Sequence, residues 1–275
     1  MKNNSTKLYL DLMKKTLSFM LWTEPHEPIM MLNSKRLLIK RILVSFISQI
    51  LDKVQLQLVY KRNYSNIQRV EGKIRPIYAD TMIGLKRLDN LQNCIEKVIQ
   101  EEIEGDFIET GAWRGGACIF MRAILAAYGI DDRKIFVADS FVGLPKPDTN
   151  LYPPDLDDKH YTNTYLSVSK RDVQNNFIKY GLLDKQVVFL EGWFKDTLPK
   201  APIDKLSILR LDGDMYSSTI EALEHLYPKL SNGGFCIIDD YALSGCNSAV
   251  NDFRLKYNIK PEIKKIDWTG IYWKK

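Results

Sequence analysis

The sequence predicts an α/β protein built on a mostly parallel sheet. From Gly105 onward, short apolar runs typical of strands alternate with amphipathic stretches typical of helices. This alternation favours parallel strands joined by right-handed crossovers. Aspartates follow the ends of three of the runs, at Asp139, Asp212 and Asp239. Ligands bind at this edge of open α/β sheets, so the aspartates also indicate where the function resides.

The N-terminal part is predicted to be helical. Apolar residues at helical spacing predict one helix over 9–22 and a second over about 34–60, with the breaker EPHEP between them. A further helix is predicted over 89–103, with Asp89 as its N-cap.

The sheet follows in βα order. Strands are predicted at 106–110, 134–139, 186–192, 206–213 and 234–240, and helices at 116–128, 169–180, 218–230 and 247–256. The segments EIKKID and GIYWK predict a hairpin around Trp268 and Thr269, which adds an antiparallel strand at the sheet edge. The loop at 140–164 is long for a compact domain, and such loops often cover a binding site.

Length and composition are typical of a soluble protein. The chain has 275 residues, of which 45% are hydrophobic and 27% charged. Its most apolar stretch is interrupted by Lys40 and Arg41, so no transmembrane segment is expected. We find no signal-peptide pattern, and the four cysteines lack metal-ligand spacing. These features predict a reducing, cytoplasmic location.

Positive charge is concentrated near the N-terminus. Residues 1–80, assigned to an N-terminal helical arm, carry a net charge of +8, whereas residues 81–275, the main domain, carry −3. A basic arm suits a membrane surface, an anionic partner or a second copy of the chain, and a solvated amphipathic surface is the simpler interpretation. The chain has no basic–aromatic nucleic-acid motif, so we exclude nucleic-acid binding.

A glycine-rich turn joins the first predicted sheet strand to its helix. In Glu109-Thr-Gly-Ala-Trp-Arg-Gly-Gly, Gly111 permits a tight turn, and Gly115 and Gly116 allow a backbone or ligand to approach closely. The pattern is neither GxGxxG nor a phosphate-binding loop. Its acidic first residue disfavours a pyrophosphate and suits an amine-bearing ligand. A turn that binds no ligand is the alternative.

Asp139 ends the second predicted strand, where it can accept both ribose hydroxyls of a nucleoside. The alternative is a turn cap. His160, in the long loop, is either solvated or faces a substrate.

Three further carboxylates end two strands that we expect to be near neighbours. Asp212, Asp239 and Asp240 suit a hard cation, Mg²⁺ above all. Asp214 follows closely, and the alternative is a set of turn and cap aspartates.

Several stretches resemble the macrocin O-methyltransferase family, metal-dependent enzymes that use S-adenosylmethionine. The matching stretches lie between residues 80 and 275 and read TMIGLKRLDNL, ETGAWRGG, DSFVGLP, YGLLDKQVVFLEGWFKDTLP, LRLDGDMYSST and LYPKLSNGGFCIIDDY. One departure is Ala79-Asp80, which stands where an aromatic and a histidine are expected before TMIG.

The resemblance implies a Rossmann-like class I methyltransferase fold, with a mostly parallel seven-stranded sheet and an antiparallel C-terminal hairpin strand. It also implies cofactor contacts, at Thr81, Met82, Glu109, Thr110, Gly111, Ala112, Gly115, Asp139, Ser140, Gly192, Trp193 and Asp212. The implied Mg²⁺ ligands are Asp212, Asp239 and Asp240, and Asp212 or Asp214 is expected to accept the proton.

The activity expected from the resemblance is transfer of a methyl group to a sugar hydroxyl, on a natural-product glycoside or a surface polysaccharide. Two alternatives remain. One is a catechol-like phenol as acceptor, and the other is a non-catalytic binding protein that keeps the fold. The basic arm is expected to cover the acceptor or to mediate self-association into a homodimer or higher homo-oligomer.

Overall fold

A computed structural model describes residues 4–28, 38–61 and 63–275. The helices are α1 (Asn4–Leu17), α2 (Leu38–Lys53), α3 (Asn66–Val70), α4 (Leu85–Gln100), α5 (Gly116–Ala127), α6 (Lys170–Lys179), α7 (Phe194–Thr197), α8 (Tyr216–Leu226) and α9 (Ser244–Lys256). The strands are β1 (Glu27–Pro28), β2 (Val59–Tyr60), β3 (Asp106–Thr110), β4 (Ile135–Asp139), β5 (Val187–Glu191), β6 (Leu206–Leu211), β7 (Leu230–Ile238), β8 (Lys264–Lys265) and β9 (Ile271–Lys274).

Within the described residues, seven strands form one sheet in the order β5-β4-β3-β6-β7-β9-β8. The first five are parallel, and β9 pairs antiparallel with both β7 and β8. The predicted α/β fold with its antiparallel hairpin is therefore confirmed. In the parallel part, β3 lies between β4 and β6, which brings the carboxyl ends of the predicted site strands together.

The sheet is covered on both faces. Helices α1, α4, α5 and α6 form one apolar layer with it, and α8 and α9 form the other. Every residue of β6 is buried. A strand buried on both faces is expected to be continuously apolar. Arg210 breaks that rule in LSILRL, and a buried charge needs partners.

Helix α1 packs into the core, although the charge pattern assigned it to an arm. Its Leu10, Met13 and Leu17 are buried in the same apolar layer as α4 and α5. The helix ends at Leu17, five residues before the predicted end, and Phe19 then adopts a left-handed backbone with φ +57°. The predicted domain boundary after residue 80 stays a prediction.

The second predicted N-terminal helix is only partly described. Helix α2 ends at Lys53 rather than near 60, and residues 34–37 of the prediction lie outside the described residues. No helix among the described residues is long and apolar enough to cross a membrane.

The predicted start of α4 is wrong. The helix begins at Leu85, with Gly84 as its N-cap, so Asp89 lies inside it. Asp89 instead accepts a hydrogen bond of 2.6 Å from Lys14 on α1. Leu88, just before the predicted start, and Leu91 are both buried on the same helix, and packing of this apolar face outweighs the local capping preference of an aspartate.

The long loop, which in the structure runs over 140–169 from the end of β4 to the start of α6, is anchored to the domain. Asp155 is 2% exposed and accepts hydrogen bonds from the backbone N–H groups of Tyr216 (2.7 Å) and Ser217 (2.9 Å). These groups open α8 and have no partner within the helix. The loop therefore caps a helix that begins beside the predicted site.

Candidate active site

The glycine-rich turn brings β3 against the end of β6. Gly111 has φ +89°, and a Cβ at this position would lie 1.7 Å from the Asp212 carbonyl oxygen. Only glycine fits both the backbone conformation and this approach. The Gly111 N–H donates to the Ala138 carbonyl at 2.8 Å, so the turn joins the ends of three neighbouring strands.

Asp139 holds the same turn. One of its carboxylate oxygens accepts from the backbone N–H groups of Ala112 (2.8 Å) and Trp113 (3.3 Å), and the other accepts from Phe141 (2.7 Å). Burial raises its pKa, although the three hydrogen bonds act in the opposite direction. Asp139 is thus a turn cap, and it also lines the cleft described next.

An open cleft of about 630 Å³, a volume that includes its mouth, lies at the carboxyl ends of the strands. Seven predicted site residues line it: Gly111, Asp139, Ser140, Gly192, Trp193, Asp212 and Asp214. Its remaining wall comes mainly from the long loop (143–145 and 166) and from α7 and α8. The structure therefore places residues from both the predicted cofactor site and the predicted proton acceptors in one cleft.

Other predicted cofactor contacts are not among the residues that line the cleft. Thr110, Ala112 and Gly115 belong to the strand and turn beneath the cleft, and Met82 is half-buried. Thr81 is buried, and it packs against the first turn of α5, where a Cβ on Gly116 would lie 2.6 Å from the Thr81 Cβ. Their roles as cofactor contacts stay predictions.

Glu109 is buried below the cleft at 2% exposure. Its carboxylate pairs with Arg210 and accepts from the Cys118 thiol at 2.9 Å. Burial raises its pKa to about 7, against the opposing charge of Arg210. The contacts of this carboxylate in the structure are with Arg210 and Cys118, and its contact with the cofactor stays a prediction.

The predicted metal ligands converge. Asp212, Asp239 and Asp240 each offer a carboxylate oxygen, and these oxygens lie within 4.8 Å of one another. Burial and the charges of Asp214 and Asp212 raise the pKa of Asp240 well above its usual value. Burial and the Asp239 charge likewise raise the pKa of Asp212.

Asp214 joins the ends of β6 and β7. It adopts a left-handed backbone with φ +56°, which aspartate tolerates better than most residues, and its N–H donates to Asp240 at 3.1 Å. Burial and the neighbouring Asp212 charge raise the pKa of Asp214 to about 7.

Two buried arginines neutralise part of the negative charge of these carboxylates. Arg210 pairs with Glu109, with Asp212 at 2.9 Å and with Asp239. Arg87, on α4, pairs with Asp239 as well. Sequence reasoning missed both residues. An arginine inside the apolar strand LSILRL was the available signal for Arg210, whereas α4 offers no comparable signal for Arg87.

Carboxyl groups nevertheless outnumber the arginines that pair with them. Among the described residues, the two guanidinium groups pair with four carboxylates, those of Glu109, Asp212, Asp239 and Asp267, and the carboxyl groups of Asp214 and Asp240 lie close to Asp212. In the part of the chain that the structure describes, no arginine or lysine pairs with Asp214 or Asp240. Carboxylates this close repel one another unless a cation lies among them, so the donor set fits a divalent metal.

His160, in the long loop, lies close enough to Asp214 for the Asp214 charge to affect its pKa. Its Nδ1 lies 2.6 Å from an Asp158 carboxylate oxygen. Burial lowers its pKa, but the Asp158 hydrogen bond and the charge of Asp214 outweigh burial and raise it overall. Whether His160 faces a substrate stays a prediction.

Two segments beside the cleft are joined through Tyr165. Arg75 lies 4.0 Å above the Tyr165 ring and donates to Asn163 at 2.6 Å. The Tyr165 hydroxyl donates to the Pro76 carbonyl, and the Trp113 indole donates to the Tyr165 carbonyl at 2.9 Å. The segment before Thr81, the long loop and the glycine-rich turn are therefore in direct contact.

Comparison with known proteins identifies relatives along the whole chain. The family model of macrocin-O-methyltransferase (TylF) matches residues 6–275. The 8-demethyl-8-(2,3-dimethoxy-alpha-L-rhamnosyl)-tetracenomycin-C 4'-O-methyltransferase of Streptomyces olivaceus is 44% identical over 275 residues, 100% of this chain and 95% of that protein. The mycinamicin III 3''-O-methyltransferase of Micromonospora griseorubida is 47% identical over 241 residues, 86% of this chain and 94% of that protein.

Solved structures agree with these relatives. The O-methyltransferase NovP superposes with a TM-score of 0.83 at 43% identity, over 98% of this chain and 99% of NovP. The calicheamicin methyltransferase CalS11 has a TM-score of 0.57 at 16% identity, over 100% of this chain and 94% of its own, and shows likeness of fold alone. The resemblance expected from the sequence is confirmed, and the chain belongs to the macrocin O-methyltransferase family.

Proposed function

We propose that this protein methylates a hydroxyl group on the sugar of a glycoside. Its family membership supports methyl transfer, and the names of two relatives specify oxygens on glycosylated natural products. The observation that carries the proposal is the cleft in which Asp139 and the Asp212–Asp214 turn face one another. Cofactor and acceptor sites would thus be adjacent.

The donor in this proposal is S-adenosylmethionine, which supplies a methyl group on a sulfonium sulfur when bound. Asp139 would hold the ribose with the acceptor capacity that its backbone hydrogen bonds leave free. Gly111 and Gly192 would allow close approach of the cofactor, and Trp193 would lie near the adenine. Each of these four residues lines the cleft.

The same proposal includes Mg²⁺ as a resident metal. Asp212, Asp239 and Asp240 would hold it, and the convergence of their carboxylate oxygens within 4.8 Å supports this assignment. When bound, Mg²⁺ supplies a Lewis acid that lowers the pKa of a coordinated hydroxyl. Asp212 or Asp214 would accept the proton that leaves the acceptor hydroxyl as its oxygen bonds to the methyl carbon, while the bond from that carbon to sulfur breaks and leaves the thioether S-adenosylhomocysteine. Arg210 already donates to Asp212, whereas Asp214 has no arginine or lysine partner among the described residues.

Of the three proposed metal ligands, Asp240 is best suited to a test. Asp239 is buried between two arginines, so its removal would break a buried ion pair with each of them. Asp240 lacks such partners, and Asp240→Asn keeps its size. We expect Asp240→Asn to lose most methyl transfer in the presence of Mg²⁺ while it keeps wild-type S-adenosylmethionine binding in calorimetry. Full activity of the wild type in excess EDTA would contradict metal assistance.

The acceptor class requires a separate measurement. Purified protein, S-adenosylmethionine and Mg²⁺ are incubated with a panel of glycosides and catechols, and products heavier by one CH₂ are detected by mass spectrometry. Methylated glycosides are expected. Turnover of catechols alone would refute the sugar acceptor. Absence of S-adenosylmethionine binding would instead favour a non-catalytic binding protein.

We also propose that the protein acts in the cytoplasm and associates with itself. All four cysteines are buried free thiols, which suits a reducing compartment. Leu12 on α1 and Phe46 and Ile50 on α2 are exposed by 52%, 61% and 49%, and exposed apolar surface often marks an interface. We expect Phe46→Ser with Ile50→Ser to lower the mass measured by light scattering. An unchanged mass would exclude this surface as the interface.

A further inference from the structure

We propose that Arg87 is a positioning residue that fixes the Asp239 carboxylate for divalent-cation binding, and that the C-terminal hairpin acts on the metal site through it. This inference rests on the proposed function, because it assumes that Asp239 is a metal ligand. Arg87 has no predicted contact with cofactor or acceptor, and among the described residues its guanidinium forms ion pairs with the two carboxylates described next.

One guanidinium bridges two elements. The Arg87 Nε donates to Asp267 in the β8–β9 turn at 2.9 Å, and its Nη1 donates to Asp239 at the end of β7. The side chain is 7% exposed. The planar fork of arginine can satisfy two carboxylates at fixed angles, which the single nitrogen of a lysine cannot do.

Asp267 is itself held rigidly. Its side chain is fully buried, and its Oδ1 accepts from the backbone N–H groups of Thr269 (3.0 Å) and Gly270 (2.8 Å). A Cβ on Gly270 would lie 3.2 Å from the Arg87 Cδ. The hairpin turn therefore packs on the arginine stem as well as pairing with its charge.

A second link joins the hairpin to the metal site. The Thr269 hydroxyl donates to the Asp239 carbonyl at 3.0 Å. The hairpin turn thus contacts the backbone of Asp239 directly and its carboxylate through Arg87. Since Arg210 donates to the other Asp239 oxygen, rotation of this carboxylate would break an ion pair at either end.

The two arginines determine which lone pairs of the Asp239 carboxylate a cation can use. Each oxygen already accepts from an arginine, so one remaining lone pair per oxygen is available. The orientation is set before any metal arrives, which lowers the ordering cost of binding. Groups that orient metal ligands commonly change metal affinity 10- to 100-fold when they are mutated.

Arg87→Lys separates geometry from charge, because it keeps the positive charge and removes the fork. Arg122→Lys is the matched control. Arg122 is also buried and pairs in two places with one carboxylate, Asp184, at 2.5 and 3.2 Å, and Asp184 precedes β5 at the opposite edge of the sheet.

The experiment measures Mg²⁺ binding by calorimetry without cofactor or acceptor. S-adenosylmethionine binding in EDTA and urea denaturation are measured on the same samples. We expect Arg87→Lys to weaken Mg²⁺ binding roughly 10- to 100-fold while it leaves S-adenosylmethionine affinity within about twofold of the wild type. Arg122→Lys is expected to change neither affinity.

Each outcome of this experiment either supports or overturns the positioning role of Arg87. Wild-type Mg²⁺ affinity in Arg87→Lys overturns the positioning role, whatever happens to its stability. A wild type that binds no Mg²⁺ refutes the metal site itself, and with it this inference, whereas S-adenosylmethionine binding still tests the methyltransferase assignment. If Arg87→Lys does not fold, Asp267→Asn takes its place. It leaves Arg87 intact, and unchanged Mg²⁺ affinity there also overturns the inference.

Discussion

Alanine in place of Gly111 would force a methyl group into the backbone at the end of β6. The new Cβ would lie 1.7 Å from the Asp212 carbonyl oxygen, half of the 3.4 Å at which ordinary van der Waals contact begins. Its left-handed backbone costs about 1–2 kcal/mol for a residue with a Cβ. Overpacking against a backbone atom adds about 1–3 kcal/mol. We therefore expect Gly111→Ala to lower the free energy of unfolding by about 2–5 kcal/mol.

Gly129→Ala separates the two contributions. Gly129 also has a left-handed backbone, with φ +67°, but nothing lies within 4 Å of its would-be Cβ. Its loss should be limited to the backbone cost of about 1–2 kcal/mol. Urea denaturation followed by tryptophan fluorescence gives both values, and the difference between the variants measures the clash with Asp212.

Activity gives a second measurement on the same proteins. A shift of the Asp212 backbone moves a predicted metal ligand, so Gly111→Ala should lose methyl transfer while Gly129→Ala retains it. Equal stability losses in the two variants would refute the claim that close approach of β3 and β6 requires glycine at this turn.

Three further predictions concern buried polar groups. Asp155→Ala removes the acceptor of two helix-opening N–H groups and should cost about 1–2 kcal/mol in urea denaturation, with a higher KM for the acceptor because the loop loosens. Arg210→Met leaves three carboxylates without their shared cation and should cost about 3–5 kcal/mol in the same assay. Glu109→Gln should alter the pH dependence of stability, because burial raises the pKa of Glu109 to about 7 in the folded state from 4.5.

The sign of the pH effect follows from proton uptake. Between pH 4.5 and about 7 the folded state keeps a proton on Glu109 that the unfolded state releases, so this contribution is complete below 4.5 and is lost as the pH rises through 7. The stability of the wild type relative to Glu109→Gln should therefore fall between pH 4.5 and 7. A pH-independent difference would contradict the raised pKa. For Asp155→Ala and Arg210→Met, wild-type denaturation midpoints would contradict the assigned contacts.

Local patterns predicted the sheet well. Each apolar run from 106 onward became a strand within a few residues of its expected bounds, because alternation and strand length are local properties. The aspartates at strand ends were predicted to converge because parallel strands share a carboxyl edge, and Asp212, Asp239 and Asp240 do converge.

Contacts between distant segments were not predictable in this way. Arg87 lies 152 residues from Asp239 and 180 from Asp267, and no local spacing connects them. The sequence indicates only that Asp155 lies in a loop, yet its carboxylate caps α8, whose first residue, Tyr216, is 61 residues further along the chain. Asp89 looked like a cap because local preference was the only information available, and tertiary packing decided otherwise.

The contacts of Tyr165 make the long loop and the segment before Thr81 one mechanical unit. Tyr165 joins the long loop to Arg75 and Pro76, and Trp113 joins both to the glycine-rich turn. Opening of either segment must break the contacts of the other. In hydrogen exchange, the protected amides of both segments should therefore open in a single cooperative event.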